Sequence, residues 1–169
     1  HPDTKHNVTA SRLPQGVQEV YFKSTDGVRL HGFFLRHPGS DAVVVYFHGN
    51  AGNISMRLPL LQTIRGMGIS VLGVSYRGYG KSGGSASERG LYKDGAAAMN
   101  YVKRQGYPPG RVIIIGRSIG STVAVHTAQR RPLLGLILVS PLLTGRAQAR
   151  AGGFGWLSFV AGSSFNNLG

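Results

Sequence analysis

The chain reads as an α/β fold: a mostly parallel sheet covered by helices on both faces. Three observations carry this. From residue 42 onward, strand and helix signals alternate. Several strand candidates are short, unbroken apolar runs, as expected of strands buried on both sides. The most strand-like of them, Arg111 to Gly116, runs straight into a glycine-flanked serine and then a helix. At 169 residues, with 41% hydrophobic and 15% charged residues, the chain has the size and composition of one folded domain with a real core.

Each element has its own justification. Residues 1–16, polar with Pro2, Pro14 and Gly16, form an N-terminal arm, and residues 17–169 form the domain. Val17 to Lys23 and Val28 to Arg36 are rich in Val, Tyr and Phe. Asp26-Gly27 between them is a tight-turn signal, so the pair is a hairpin. Ala42 to Phe47 is a buried strand, and Met56 to Met67 carries Leu58, Leu61 and Ile64 at helical spacing. Ser70 to Val74 is the next strand. Ser87 followed by Glu88 opens a helix that runs to about Gln105, with Leu91, Ala98, Tyr101 and Val102 inward. Pro108-Pro109-Gly110 forces a turn before the Arg111 to Gly116 strand. Ser121 to Arg130 is a helix and Leu134 to Val139 a last strand.

Composition excludes several functions. With no cysteine, disulfide frameworks, cysteine catalysis and thiolate zinc sites are ruled out. The histidines show neither H-x-H nor H-E-x-x-H spacing, so no metal site is expected. The longest apolar run, Leu133 to Leu143, is too short for a membrane-crossing helix. Nothing assigns a compartment. The chain opens at His1 without a Met or a signal-peptide pattern, which points to a segment upstream of it. The net charge is +13, from 19 Lys and Arg against 6 Asp and Glu. These basic residues are scattered in runs of two at most, so only weak, salt-sensitive nucleic-acid binding is expected.

Two motifs carry chemistry. Gly116-Arg117-Ser118-Ile119-Gly120 stands between the best strand and a helix. There, glycines on both sides let strand and helix close in around a strained serine, whose hydroxyl stands clear of the sheet. His48-Gly49-Asn50-Ala51-Gly52-Asn53 follows the strand ending at Phe47. Acyl transfer needs two N–H donors for the oxyanion, one from the residue after the nucleophile and one from such a loop. Ile119 and Asn50 occupy those places.

The strings YFHGNAGN, SYRGYGKSGG and IIIGRSIGS, in this order and spacing, resemble the α/β-hydrolase superfamily, and within it the esterase, lysophospholipase and depalmitoylase-like serine hydrolases. The resemblance covers about Val17 to Pro141. It implies a three-layer sandwich and a hydrolase of carboxylic esters or thioesters that needs no cofactor. Ser118 would be its nucleophile, with oxyanion donors at the Asn50 and Ile119 N–H groups. Ser75 stands where the family usually has an acid, while Tyr76, Arg77, Gly78, Gly80 and Ser82 match and read as a structural turn beside the site.

In that family the triad acid and histidine follow two further strands. Here no acid follows Ser118, and the only later histidine is His126. It lies eight residues into the helix, roughly 12 Å along its axis, too far to act as base. His48 is the one histidine at a strand end near the elbow, but its family position orients the loop. The sandwich is therefore expected to lack its last strands, and these 169 residues by themselves to be inactive.

Two rival readings stay open: a non-catalytic binding module that keeps the elbow, and a nucleotide binder at Gly78 to Gly83, a formal G-x-G-x-x-G. Against the second, Lys103 and Arg104 stand where a dinucleotide site wants an acid. Finally, Phe154, Trp156, Leu157, Phe159 and Val160 cluster within residues 140–169. They fit either a packing edge left uncovered or the family's lid region, which beside the positive charge would contact anionic lipid.

Overall fold

The computed structural model describes residues 13–129 and 131–141. Six strands form one sheet: β1 (Gln18–Lys23), β2 (Arg29–Leu35), β3 (Val43–Phe47), β4 (Ser70–Ser75), β5 (Val112–Arg117) and β6 (Gly135–Val139). The helices are α1 (Leu58–Gly66), α2 (Glu88–Arg104) and α3 (Ile119–Ala128). The lateral order is β1-β2-β4-β3-β5-β6. The β1–β2 hairpin joins β4 antiparallel, and β4, β3, β5 and β6 run parallel. Every expected element is present, most within a residue or two of the expected bounds. One start differs: a 3-10 turn, Ile54–Arg57, precedes α1, its N-cap Asn53 accepting from the Ser55 N–H.

The unbroken apolar runs follow from two cores, one on each face of the sheet. Along β3, Val43, Val45 and Phe47 enter the core beneath α2 and α3, while Val44 and Tyr46 enter the other beneath α1. Alternation is invisible in such a strand because both faces are apolar. The amphipathic helices close each side. Leu58, Leu61 and Ile64 of α1 pack on one face, and Leu91, Ala98 and Val102 of α2 with Val123 of α3 on the other. The result is three layers. Leu13, assigned to the arm by composition, packs against the α1-side core.

β6 is the edge of the described sheet. Leu136, Ile137, Leu138 and Val139 are between 37 and 49% exposed, so both faces of this apolar strand are uncovered among the described residues. The lid reading of residues 140–169 lies, from residue 142 on, outside the described residues.

Candidate active site

The parallel register brings three strand ends level, since Phe47 pairs with both Val74 and Gly116. The turns after β3, β4 and β5 therefore leave the sheet at one height, and the sequence-predicted residues meet there.

Ser118 is the turn between β5 and α3, with φ 52 and ψ −121. A non-glycine residue in this region is strained by about 1–3 kcal/mol and persists only where its surroundings over-determine it. Here they do. The Ser118 N–H donates to Val139 O (3.0 Å), and its carbonyl accepts from the Ser121 N–H (2.8 Å). The flanking glycines are required by contact. A Cβ on Gly116 would stand 2.4 Å from Gly120 O, and one on Gly120 would stand 2.2 Å from Phe47 O. Half-buried Ser118 thus sits at the head of α3. Ile119 is the first helical residue, among the four whose N–H has no acceptor within the helix.

The His48–Asn53 loop lies against this serine: a Cβ on Gly49 would come within 3.4 Å of Ser118 Cβ. Asn50, the second expected donor, is the next residue and is half-buried. Gly52 has φ 72, and the Arg57 guanidinium holds the loop through Ala51 O (3.0 Å).

His48 is fully buried. Its Nδ1 bonds Gly49 O at 2.6 Å, and its ring lies 4.6 Å from that of Tyr76. Burial lowers its pKa to about 4, so it is a neutral group packed within the fold. His126 stacks on Tyr92, ring centroids 3.8 Å apart, on the exposed side of α3.

A third set of residues follows β4, where the sequence predicts a turn at Tyr76, Arg77, Gly78, Gly80 and Ser82 and assigns Tyr79 no role. After β4, the Tyr76 hydroxyl donates to His48 O (2.8 Å), and the Tyr79 hydroxyl to Asn50 Oδ1 (2.7 Å). Arg77 is gripped from two sides. Its Nε and Nη2 donate to Asp94 Oδ1, its backbone N–H donates to Asp94 Oδ2, and Nη1 and Nη2 donate to the two Asp26 oxygens. Asp26 is held well below the usual carboxylate range, chiefly by the Arg77 hydrogen bonds. Burial pushes Asp94 up, and the bonds from Arg77 pull against it.

The same turn argues against the formal G-x-G-x-x-G as a phosphate cradle. A phosphate cradle needs free N–H groups. Here Gly78, Tyr79, Ser82 and Gly83 donate theirs to Gly83 O, Tyr76 O, Tyr79 O and Arg29 O. Among the described residues no cluster of His, Asp and Glu is placed to hold a metal ion, and no helix is long and apolar enough to cross a membrane.

Comparison with known proteins agrees with this fold. The sequence profile of the hydrolase family described as "Serine aminopeptidase, S33" matches residues 38–168. The chain belongs to the α/β-hydrolase superfamily. It is 40% identical over 151 residues to an uncharacterised protein of Mycobacterium tuberculosis, covering 88% of this chain and 53% of that one. It is 33% identical over 129 residues to the alpha/beta hydrolase domain-containing protein WAV2 of Arabidopsis thaliana, covering 74% and 42%. Among solved structures it is similar to an α/β hydrolase of Vibrio vulnificus, with TM-score 0.73, 27% identity, and 88% and 57% covered. It is also similar to an esterase of Pyrococcus furiosus, with TM-score 0.71, 25% identity, and 94% and 64% covered. The chain spans about half the length of the relatives it matches.

Proposed function

We propose that this chain carries the nucleophile and oxyanion site of a serine hydrolase acting on carboxylic esters or thioesters. The triad's histidine and acid would be supplied from outside these 169 residues. Ser118 Oγ attacks the acyl carbonyl carbon and passes its proton to that histidine. The carbonyl oxygen gains the negative charge and rests on the Asn50 and Ile119 N–H groups. The tetrahedral intermediate collapses, the histidine protonates the departing alcohol or thiol, and an ester to Ser118 remains. Water then adds to it by the same route, releasing the carboxylic acid and restoring Ser118.

The observation that carries this reading is Ser118's strained backbone, braced by two contact-forced glycines and faced by Gly49. Backbone strain of this kind clusters at active sites, and here it falls on a serine between two glycines, at φ 52. The esterase of Pyrococcus furiosus among the similar structures supports ester chemistry.

The test is fluorophosphonate labelling and p-nitrophenyl butyrate hydrolysis by the full-length protein. Labelling should map to Ser118, and Ser118→Ala should abolish both signals. Turnover of aminoacyl p-nitroanilides alone would replace esters by peptides as substrate. Silence toward both substrates, with no labelling, would leave a binding module.

A further inference from the structure

We infer that Tyr79 is a positioning residue for the oxyanion site. Its hydroxyl holds the Asn50 side chain and so aims the Asn50 N–H. This rests on the hydrolase reading above.

The need arises from the loop's composition. An oxyanion donor must be held to roughly 0.5 Å and 10–20°. Asn50 has Gly49 on one side and Gly52, at φ 72, on the other, and glycine gives the backbone its widest conformational freedom. Something outside the loop has to fix the peptide plane. The Tyr79 hydroxyl, 2.7 Å from Asn50 Oδ1, is placed to do so.

A tether is only as firm as its anchor, and this one is firm. Tyr79 is 2% exposed, its ring edge-on to Tyr76 (5.8 Å, 81°) and to His48 (5.5 Å, 71°). Its turn is closed by Tyr79 N–H to Tyr76 O and by Ser82 N–H to Tyr79 O, both 3.0 Å. Below it, the Ser82 hydroxyl donates to Ser75 O (2.8 Å) and accepts from the His31 N–H (2.9 Å). Beside it, Arg77 is locked between Asp94 on α2 and Asp26 in the hairpin turn. The glycine at position 90 makes room for that lock, since a Cβ there would fall 2.4 Å from Arg77 Cδ. The turn is thus tied to the sheet, α2 and the hairpin, and through one hydroxyl to Asn50.

Packing does not account for that hydroxyl. The ring alone fills the space between Tyr76 and His48, whereas the oxygen bonds Asn50. Tyr79→Phe therefore removes the tether and keeps the ring.

In the full-length protein with p-nitrophenyl butyrate, Tyr79→Phe should lower kcat about tenfold and leave KM unchanged, because misaimed groups weaken transition-state binding selectively. Asn50→Ala should lower kcat similarly, and the double variant no further than either single one. Tyr79→Phe should also speed amide exchange in residues 48–53 by severalfold. A kcat within twofold of wild type, a rise in KM at unchanged kcat, losses that multiply in the double variant, or unchanged exchange would each overturn the inference. Ser118→Ala separates the two levels. If it removes turnover while Tyr79→Phe does not lower it, the positioning role alone falls. If wild type has no Ser118-dependent turnover, the hydrolase reading falls and takes this inference with it.

Discussion

Replacing Gly120 by alanine adds one methyl group at the tightest point of the elbow. That carbon would lie 2.2 Å from Phe47 O, 2.7 Å from Phe47 C and 2.8 Å from His48 O. All three are backbone atoms of β3 and the residue after it, and β3 is paired on both edges, so no side chain can swing away. Relief requires α3 or the β3 end to retreat by about 1 Å. Overpacking of this kind costs about 1–3 kcal/mol, and a rigid obstacle places it at the upper end. Alanine's better helix propensity returns at most about 1 kcal/mol. The net loss is about 2 kcal/mol, or roughly 4–8 °C in Tm for a protein of 150–250 residues. Gly66→Ala is the control. Gly66 lies in α1, where a Cβ would meet nothing within 4 Å, so the same change should raise Tm by a few degrees. Thermal denaturation followed by circular dichroism reads both. If Gly120→Ala melts at or above wild type, α3 does not approach β3 as closely as drawn, and the case for the elbow weakens with it.

Three further outcomes are expected. His31 and His48 are fully buried, and burial lowers both to a pKa of about 4, whereas in the unfolded chain they titrate near about 6.5. Between those values the unfolded state binds more protons. Stability should therefore fall by about 2 kcal/mol per histidine from pH 7 to pH 5; an unchanged urea midpoint would refute this. Ser118→Gly should abolish ester turnover yet raise Tm, because glycine accepts φ 52 without strain; a lowered Tm would mean that Ser118 is not strained. In the 169-residue chain, Ile137→Lys, on the β6 strand that the described residues leave uncovered, should reduce self-association in size-exclusion chromatography with no loss of Tm; unchanged association would place the sticky surface elsewhere.

Much of the fold was legible because it is periodic or local. Val43 to Phe47 and Val112 to Ile115 announce two-sided burial by having no polar residue to alternate with. Ser87 announces the start of α2, and its side chain accepts from the Gly90 N–H at 3.2 Å. Gly116 and Gly120 announce the elbow through their spacing around Ser118 and their place between a strand and a helix. What stayed hidden is pairing between distant residues. Nothing local places β4 between β2 and β3, because lateral order depends on partners far along the chain. Asp26 and Arg77 are 51 positions apart, and Asn50 and Tyr79 are 29 apart. No periodicity records such pairs, so Tyr76 reads only as a turn residue and Tyr79 draws no reading of its own, although both hydroxyls reach the His48–Asn53 loop. The formal G-x-G-x-x-G, already disfavoured by Lys103 and Arg104, fits a phosphate poorly for the complementary reason. The pattern counts glycines but not N–H groups already spent on backbone carbonyls of the turn and of β2.

The same register explains why these residues converge on one site. Because Phe47, Val74 and Gly116 lie abreast, and Arg117 pairs with Val139, the strand ends leave the sheet side by side. Each then contributes something different: β5 a strained serine, β3 a glycine-rich loop with adjustable amides, β4 a rigid turn with two tyrosine hydroxyls. The β6 end closes the set by taking the Ser118 N–H at Val139 O, and the next residue, Ser140, is itself at φ 50. A strained serine and a glycine-rich loop therefore sit together at this edge, each held by a neighbour: Ser118 by β6 and α3, the loop by the turn. The turn is held in its place by the buried Arg77–Asp94 pair. Removing one member of a buried pair typically costs about 3–5 kcal/mol, because the other charge is left uncompensated. That cost, far larger than one tyrosine hydrogen bond, makes Arg77 a residue of stability and leaves the finer adjustment of the site to Tyr79.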